Sequence, residues 1–100
     1  MLGYIGSRNI GDYIQTKAVI DMIHPINHKV LDREGLNKFK GSKLKTIING
    51  WFMENPKNWP PNNNISPLFI SFHINPSAER DLLKPESLNY LKQHEPIGCR

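Results

Sequence analysis

Apolar residues run along this chain in short blocks separated by stretches of helical period. Leu2 to Gly6 reads as a first strand. From Asp12 to Ile23 the residues Ile14, Ala18 and Met22 recur at i, i+4 and i+8, which predicts a helix with that stripe turned inward. Pro25 ends it, and Ile26 to His28 form the exit. Lys29 to Leu31 reads as a brief second strand, and Arg33 to Lys40 as a short helix with Leu36 and Phe39 on one side, stopped by Gly41. Leu44 to Asn49 reads as the third strand, closed by Gly50. Pro67 to Ile74, the most apolar run, is the fourth. Asn75 before Pro76 is an N-cap followed by proline at the first helical position, which opens a helix to about Leu83. Lys84-Pro85 repeats that signal for a helix over Glu86 to Gln93, with Leu88 and Leu91 inward. Pro96 to Cys99 reads as a last short strand. Strands alternating with helices predict an α/β domain with a mainly parallel sheet and flanking helices.

The stretch from Trp51 to Ser66 breaks the alternation. Three prolines (Pro56, Pro60, Pro61) and the run Asn62–Asn64 make it a loop of sixteen residues, longer than compact domains usually carry. Trp51, Phe52 and Trp59 argue that it is ordered, because their apolar area needs something to cover.

Length and composition narrow the class. One hundred residues make one domain, and 38% apolar residues with a net charge of +4 describe a globular chain rather than a disordered one. No run of 18 apolar residues is present, which excludes a transmembrane helix of that kind, and no basic leader precedes an apolar stretch. The single cysteine, Cys99, excludes an internal disulfide and fits a reducing, cytoplasmic setting, with a buried structural thiol as its default role. Lys38, Lys40, Lys43 and Lys45, with Lys29 and Arg33 before them, form a basic stretch. Apart from Phe39 no aromatic residue interleaves with it, and no nucleic-acid-binding motif accompanies it. It reads first as a solvated loop face, with an anion-attracting patch as the alternative, and no nucleic-acid partner is expected. The chain stops inside an apolar element at Arg100, which leads us to expect the front portion of a longer protein whose exposed apolar surface favours self-association.

Three places carry candidate chemistry. The loop from Gly6 to Asp12 follows the first strand, at the strand end where open parallel sheets bind ligands. Its Gly-x4-Gly spacing mimics a phosphate loop, but Asp12 and Tyr13 stand where lysine and serine or threonine belong, and a carboxylate there repels a nucleotide phosphate. Ser, Arg, Asn and Asp side chains suit sugar hydroxyls better, although Asn9 or Asp12 can equally cap the helix. His73, at the end of the fourth strand, faces the same sheet edge and can bind substrate or move a proton, or be a satisfied structural histidine. Trp51 and Phe52 follow Gly50, where aromatic faces either stack on a sugar or cover a core edge. His24, His28 and His94 have no cysteine or carboxylate at ligand spacing, so no metal is expected.

Four segments, in order, resemble the polysaccharide pyruvyl transferase family. Asn9-Ile10-Gly11-Asp12-Tyr13-Ile14-Gln15-Thr16 is similar to its opening N-x-G-D motif. Ile47-Ile48-Asn49-Gly50-Trp51-Phe52 is similar to the next strand and its glycine turn, and Ser71-Phe72-His73-Ile74 to the strand after that. His94-Glu95-Pro96-Ile97-Gly98-Cys99-Arg100 resembles the family's H-E-P-I-G-C-R-D segment without its final Asp. The resemblance implies two Rossmann-like halves in a glycosyltransferase-B-like arrangement, this chain being most of the first, acceptor-side half. It implies transfer of a pyruvyl group from phosphoenolpyruvate to a saccharide acceptor as a cyclic ketal, with no cofactor. Asn9, Gly11, Asp12, Gly50, Trp51, His73 and Arg100 are then the substrate-binding candidates. The arginine and histidine that the family uses on phosphoenolpyruvate fall in the second half, so the 100 residues alone are expected to be inactive. Two other readings fit the same elements: a non-catalytic α/β module binding a nucleotide or other anion, and half of a nucleotide-sugar glycosyltransferase. The coding sequence past Arg100 separates them.

Overall fold

The computed structural model describes residues 2–3, 5–23, 29–52 and 55–99, with residues 2 and 50–52 described by their backbone alone. The chain is mixed α/β with parallel strand pairing. β1 (Leu2–Gly3) leads to α1 (Ile10–Ile23), β2 (Leu31–Asp32) and a 3₁₀ helix over Arg33–Lys38. β3 (Leu44–Phe52) is followed by a 3₁₀ turn over Pro56–Asn58 and by β4 (Ile65–Ile74). A further 3₁₀ turn over Pro76–Ala78 runs into α2 (Glu79–Leu82), and α3 (Pro85–Gln93) follows. β1 pairs with β2 and β3 with β4, both in parallel, and β1 lies alongside β3. No helix among the described residues is long and apolar enough to cross a membrane.

The start signals work as the side chains require. Asp32 accepts from the Glu34 amide at the head of the first 3₁₀ helix, and Asn75 accepts from the Ser77 amide ahead of α2. The first strand is shorter than the expected Leu2–Gly6, and the second falls at Leu31–Asp32 rather than Lys29–Leu31. β3 continues through Gly50 to Phe52 instead of closing at Asn49, and β4 begins at Ile65. Trp51 and Phe52 therefore belong to a strand and not to the loop. The expected stop at Pro25 lies outside the described residues.

The core lies between the β3–β4 pair and the segments that follow each strand. Ile48, Ile65, Phe69 and Phe72 meet Leu36, Trp59, Leu82 and Tyr90 in one buried cluster. Trp59 does settle the long loop: its ring sits 5.6–6.4 Å from those of Phe69, Phe72 and Tyr90. In α3 the inward residues are Ser87 and Tyr90, while Leu88, expected inside, is exposed and Leu91 only partly buried.

The larger correction concerns α1, which buries no residue fully. Its expected inward stripe faces out: Ile14 and Ala18 are exposed and Met22 is 84% exposed. The reason lies in its seat. β1 and β2 are two residues each, and at Gly3 even a Cβ would stand 2.8 Å from Val30 Cγ1 and 3.3 Å from Thr16 Oγ1. The helix is thus placed against the strand through Thr16. Thr16, Val19, Ile20 and Ile23, all half-buried, form the inward row, roughly half a turn away from Ile14 and Ala18.

β4 contains the feature that shapes the core. Phe69 and Phe72 are three residues apart, so regular alternation would send them to opposite faces. The pairing steps from Asn49–Ile70 to Gly50–Phe72, leaving Ser71 as an extra residue at φ 54. This β-bulge resets the alternation, and both rings enter the core with centroids 5.0 Å apart. The closing segment holds the bulge. Gly98 donates to the Phe69 carbonyl at 3.2 Å and accepts from the Phe72 amide at 2.8 Å. A Cβ at Gly98 would lie 2.6 Å from that carbonyl oxygen, so only glycine fits. The expected last strand is reduced to a single parallel bridge between Phe72 and Cys99, and the Cys99 thiol, expected buried, is exposed.

Candidate functional site

The carboxyl ends of β1, β2 and β3 are tied together by one line of polar side chains. After β1, Ser7 Oγ donates to Asp12 Oδ2 and accepts from the Asn9 amide at 3.0 Å. Asn9 Oδ1 accepts from the Gly11 amide at 2.9 Å, the Tyr13 hydroxyl donates to the Ser7 carbonyl at 2.9 Å, and Thr16 Oγ1 donates to the Asp12 carbonyl at 2.8 Å. Asp12 Oδ1 faces Arg33 Nη1 at 3.8 Å, just past the end of β2. Arg33 Nε lies 3.4 Å from Glu34 Oε1, and Glu34 Oε2 accepts from the Asn55 amide at 3.1 Å, just past β3. The side chains of Asp12, Arg33 and Glu34 are 10–16% exposed, so this chain of contacts is sheltered from water and counter-ions.

The sequence candidates thus divide into two groups. Asn9, Gly11 and Asp12 share one loop, with Asn9 exposed and Asp12 engaged at both carboxylate oxygens. Gly50, Trp51 and His73 sit at the ends of β3 and β4, with Trp51 directly opposite His73 and Gly50 opposite Phe72. His73 is half-buried, and its Nδ1 is buried with no hydrogen-bond partner among the described residues. Such an atom is uncommon in a folded chain and marks a polar demand that the described residues do not meet. No described hydrogen bond or ion pair joins His73 to the Asn9–Asp12 loop. Arg100 lies outside the described residues, as do His24 and His28.

Sequence reasoning grouped Arg33 with the lysines that follow it. The structure instead buries it, facing Asp12 and Glu34. The signal was available in Asp32-Arg33-Glu34, three charges at the end of a strand that must lie beside the first. The bulge at Ser71, two residues before His73, had only one sequence trace, the odd spacing of Phe69 and Phe72. Compared with known protein families, curated proteins and solved structures, the chain matches none.

Proposed function

We propose that this chain supplies the acceptor side of a polysaccharide pyruvyl transferase, a Rossmann-like half in a glycosyltransferase-B-like pair. The observation that supports this reading is convergence. Three of the four segments that resemble the family, far apart in sequence, are immediate neighbours: Trp51 pairs with His73, and Gly98 bonds to both sides of the bulge two residues before His73. The fourth, from Asn9, opens the loop that the Asp12–Arg33–Glu34 line ties to the end of β3. Polar groups gathered outside the carboxyl ends of parallel strands suit a ligand that needs several directed hydrogen bonds, as a sugar does.

In the proposed reaction two sugar hydroxyl oxygens bond to C2 of phosphoenolpyruvate, and phosphate leaves with the ester oxygen. The methylene carbon takes one hydroxyl proton to become the ketal methyl, and the second proton leaves with phosphate. His73, with a buried nitrogen that has no partner among the described residues, is the residue of this half assigned to hold a hydroxyl and pass its proton. A free-standing anion-binding module is less well supported, since Arg33 already faces two carboxylates.

The test uses the product of the complete reading frame that contains these residues, incubated with phosphoenolpyruvate and oligosaccharide acceptors. Phosphate release matched by an acceptor mass gain of one pyruvate less one water is expected, abolished by His73→Ala. The 100 residues alone should release no phosphate above a blank. Donor consumption by this chain alone, or no transfer to any acceptor by the complete product, would overturn the reading.

A further inference from the structure

The charge of the chain is unevenly placed. Acidic and basic residues balance over positions 1–34 and again over 79–100, so the whole net charge of +4 falls within 35–78. There Lys38, Lys40, Lys43, Lys45 and Lys57 are met by a single acidic residue, Glu54. Lys57 is within electrostatic reach of Asp81. The other four stand within eight residues of one another, all exposed, and none forms an ion pair with a described carboxylate.

These four are displayed by a built turn rather than a slack loop. Phe39, between Lys38 and Lys40, and Leu44, between Lys43 and Lys45, pack against the core and anchor both arms. The Phe39 ring lies against Gly41, filling the space that a side chain there would need. Asn64 clasps the turn twice, its Nδ2 donating to the Gly41 carbonyl at 2.9 Å and its carbonyl accepting from the Leu44 amide at 2.9 Å. Lys45 continues the surface onto β3, opposite the exposed Ser66. The patch sits at the amino ends of β3 and β4, away from the carboxyl-edge site.

We propose that this lysine turn is a docking surface for an anionic lipid bilayer. The residue types select the partner. Lysine is a compact, strongly hydrated point charge suited to a diffuse anionic surface, whereas paired phosphate recognition draws on arginine, and positions 35–78 contain none. Single-stranded nucleic acid needs exposed aromatic platforms as well, and no described aromatic residue in that stretch is exposed. No exposed apolar side chain lies between the lysines, so attachment is electrostatic and without insertion. A cluster of four lysines near an anionic leaflet lies at the threshold for such binding, each contributing on the order of five-fold in partitioning.

Co-sedimentation of the chain with vesicles tests this. Phosphatidylcholine vesicles containing phosphatidylserine should retain it, and pure phosphatidylcholine vesicles should not. Retention should vanish when salt shortens the Debye length to ~3 Å. Lys40→Ala with Lys43→Ala should lower partitioning about 25-fold, while Lys17→Ala with Lys92→Ala, from the balanced segments, should leave it within about two-fold, circular dichroism confirming that both pairs fold. Equal retention on neutral vesicles, indifference to Lys40 and Lys43, or no retention at low salt would each overturn the proposal. So would binding of a single-stranded oligonucleotide without binding of anionic vesicles, which would assign the turn to nucleic acid instead.

Discussion

Asp12 stands at the head of α1, where a carboxylate complements the helix dipole whatever else it does. Its two oxygens also take the Ser7 hydroxyl and face Arg33, so in this chain the residue first holds the loop. Asp12→Asn keeps the shape, removes the charge and leaves Arg33 to Glu34. Stability should fall by about 1–2 kcal/mol, read as a lower Tm in thermal unfolding. If the complete reading frame has the transferase activity proposed above, a loss of kcat/KM there beyond the loss of folded protein would add a substrate contact to that role. Ser71 offers the opposite case. A serine in the left-handed region costs roughly 1–2 kcal/mol against glycine, part of which glycine returns through its freer unfolded chain. Ser71→Gly should therefore raise stability by about 0.5–1 kcal/mol, whereas Ser71→Val, branched at Cβ, should lower it. Equal denaturation midpoints for the two variants would mean that the bulge relaxes at no cost.

Among the elements, those built on local chemistry were legible in the sequence. Asn75-Pro76 opens its helical turn as a side chain of that kind must, and His73 falls near the end of β4 as expected, whereas Trp51 and Phe52, expected in the loop, extend β3 instead. The orientation of the helices was less legible, for a physical reason. α1 carries two apolar rows, Ile14–Ala18–Met22 and Val19–Ile20–Ile23, and periodicity cannot say which one a strand of two residues will select. Thr16 against Gly3 decides it, and that contact is tertiary. Similarly Leu88 lost its inward place to Tyr90, whose hydroxyl donates to the Ile65 carbonyl at 3.4 Å and whose ring meets Trp59 edge-on. Burial pushes the Tyr90 phenol well above its ordinary value near 10. A group whose folded pKa is raised adds stability below its unfolded pKa and loses it as pH rises beyond. The docking of α3 on β4 should thus weaken above pH 10. Tyr90→Phe, which cannot ionise, should flatten that alkaline decline in Tm while leaving the curve near neutrality lower by roughly one hydrogen bond. The same alkaline slope in both proteins would assign it elsewhere.

At the scale of the whole molecule, apolar surface is distributed unequally. One face of β4 packs the aromatic cluster, and Leu68 and Ile70 on its other side stay about half exposed. Ile10, Ile14 and Met22 on α1 add to the uncovered area. Such surface favours association with further copies of the chain, and sedimentation velocity should find oligomers that grow with concentration. Ile14→Lys with Met22→Lys should shift the chain toward monomer, with unfolding changed by no more than about 0.5 kcal/mol, because neither side chain is buried. A monomer at all concentrations would contradict this. The aromatic cluster has a further use. Trp59 is 7% exposed and bounded by three rings at fixed, unequal tilts of 26°, 52° and 84°. Chromophores held that closely and that asymmetrically couple their transitions, so the folded chain should give a strong near-ultraviolet dichroic signal and a blue-shifted emission. In a Trp51→Phe background the light comes from one indole, at the point where β4, the long loop and α3 meet. The protein then carries its own optical gauge of whether those three segments are closed on one another.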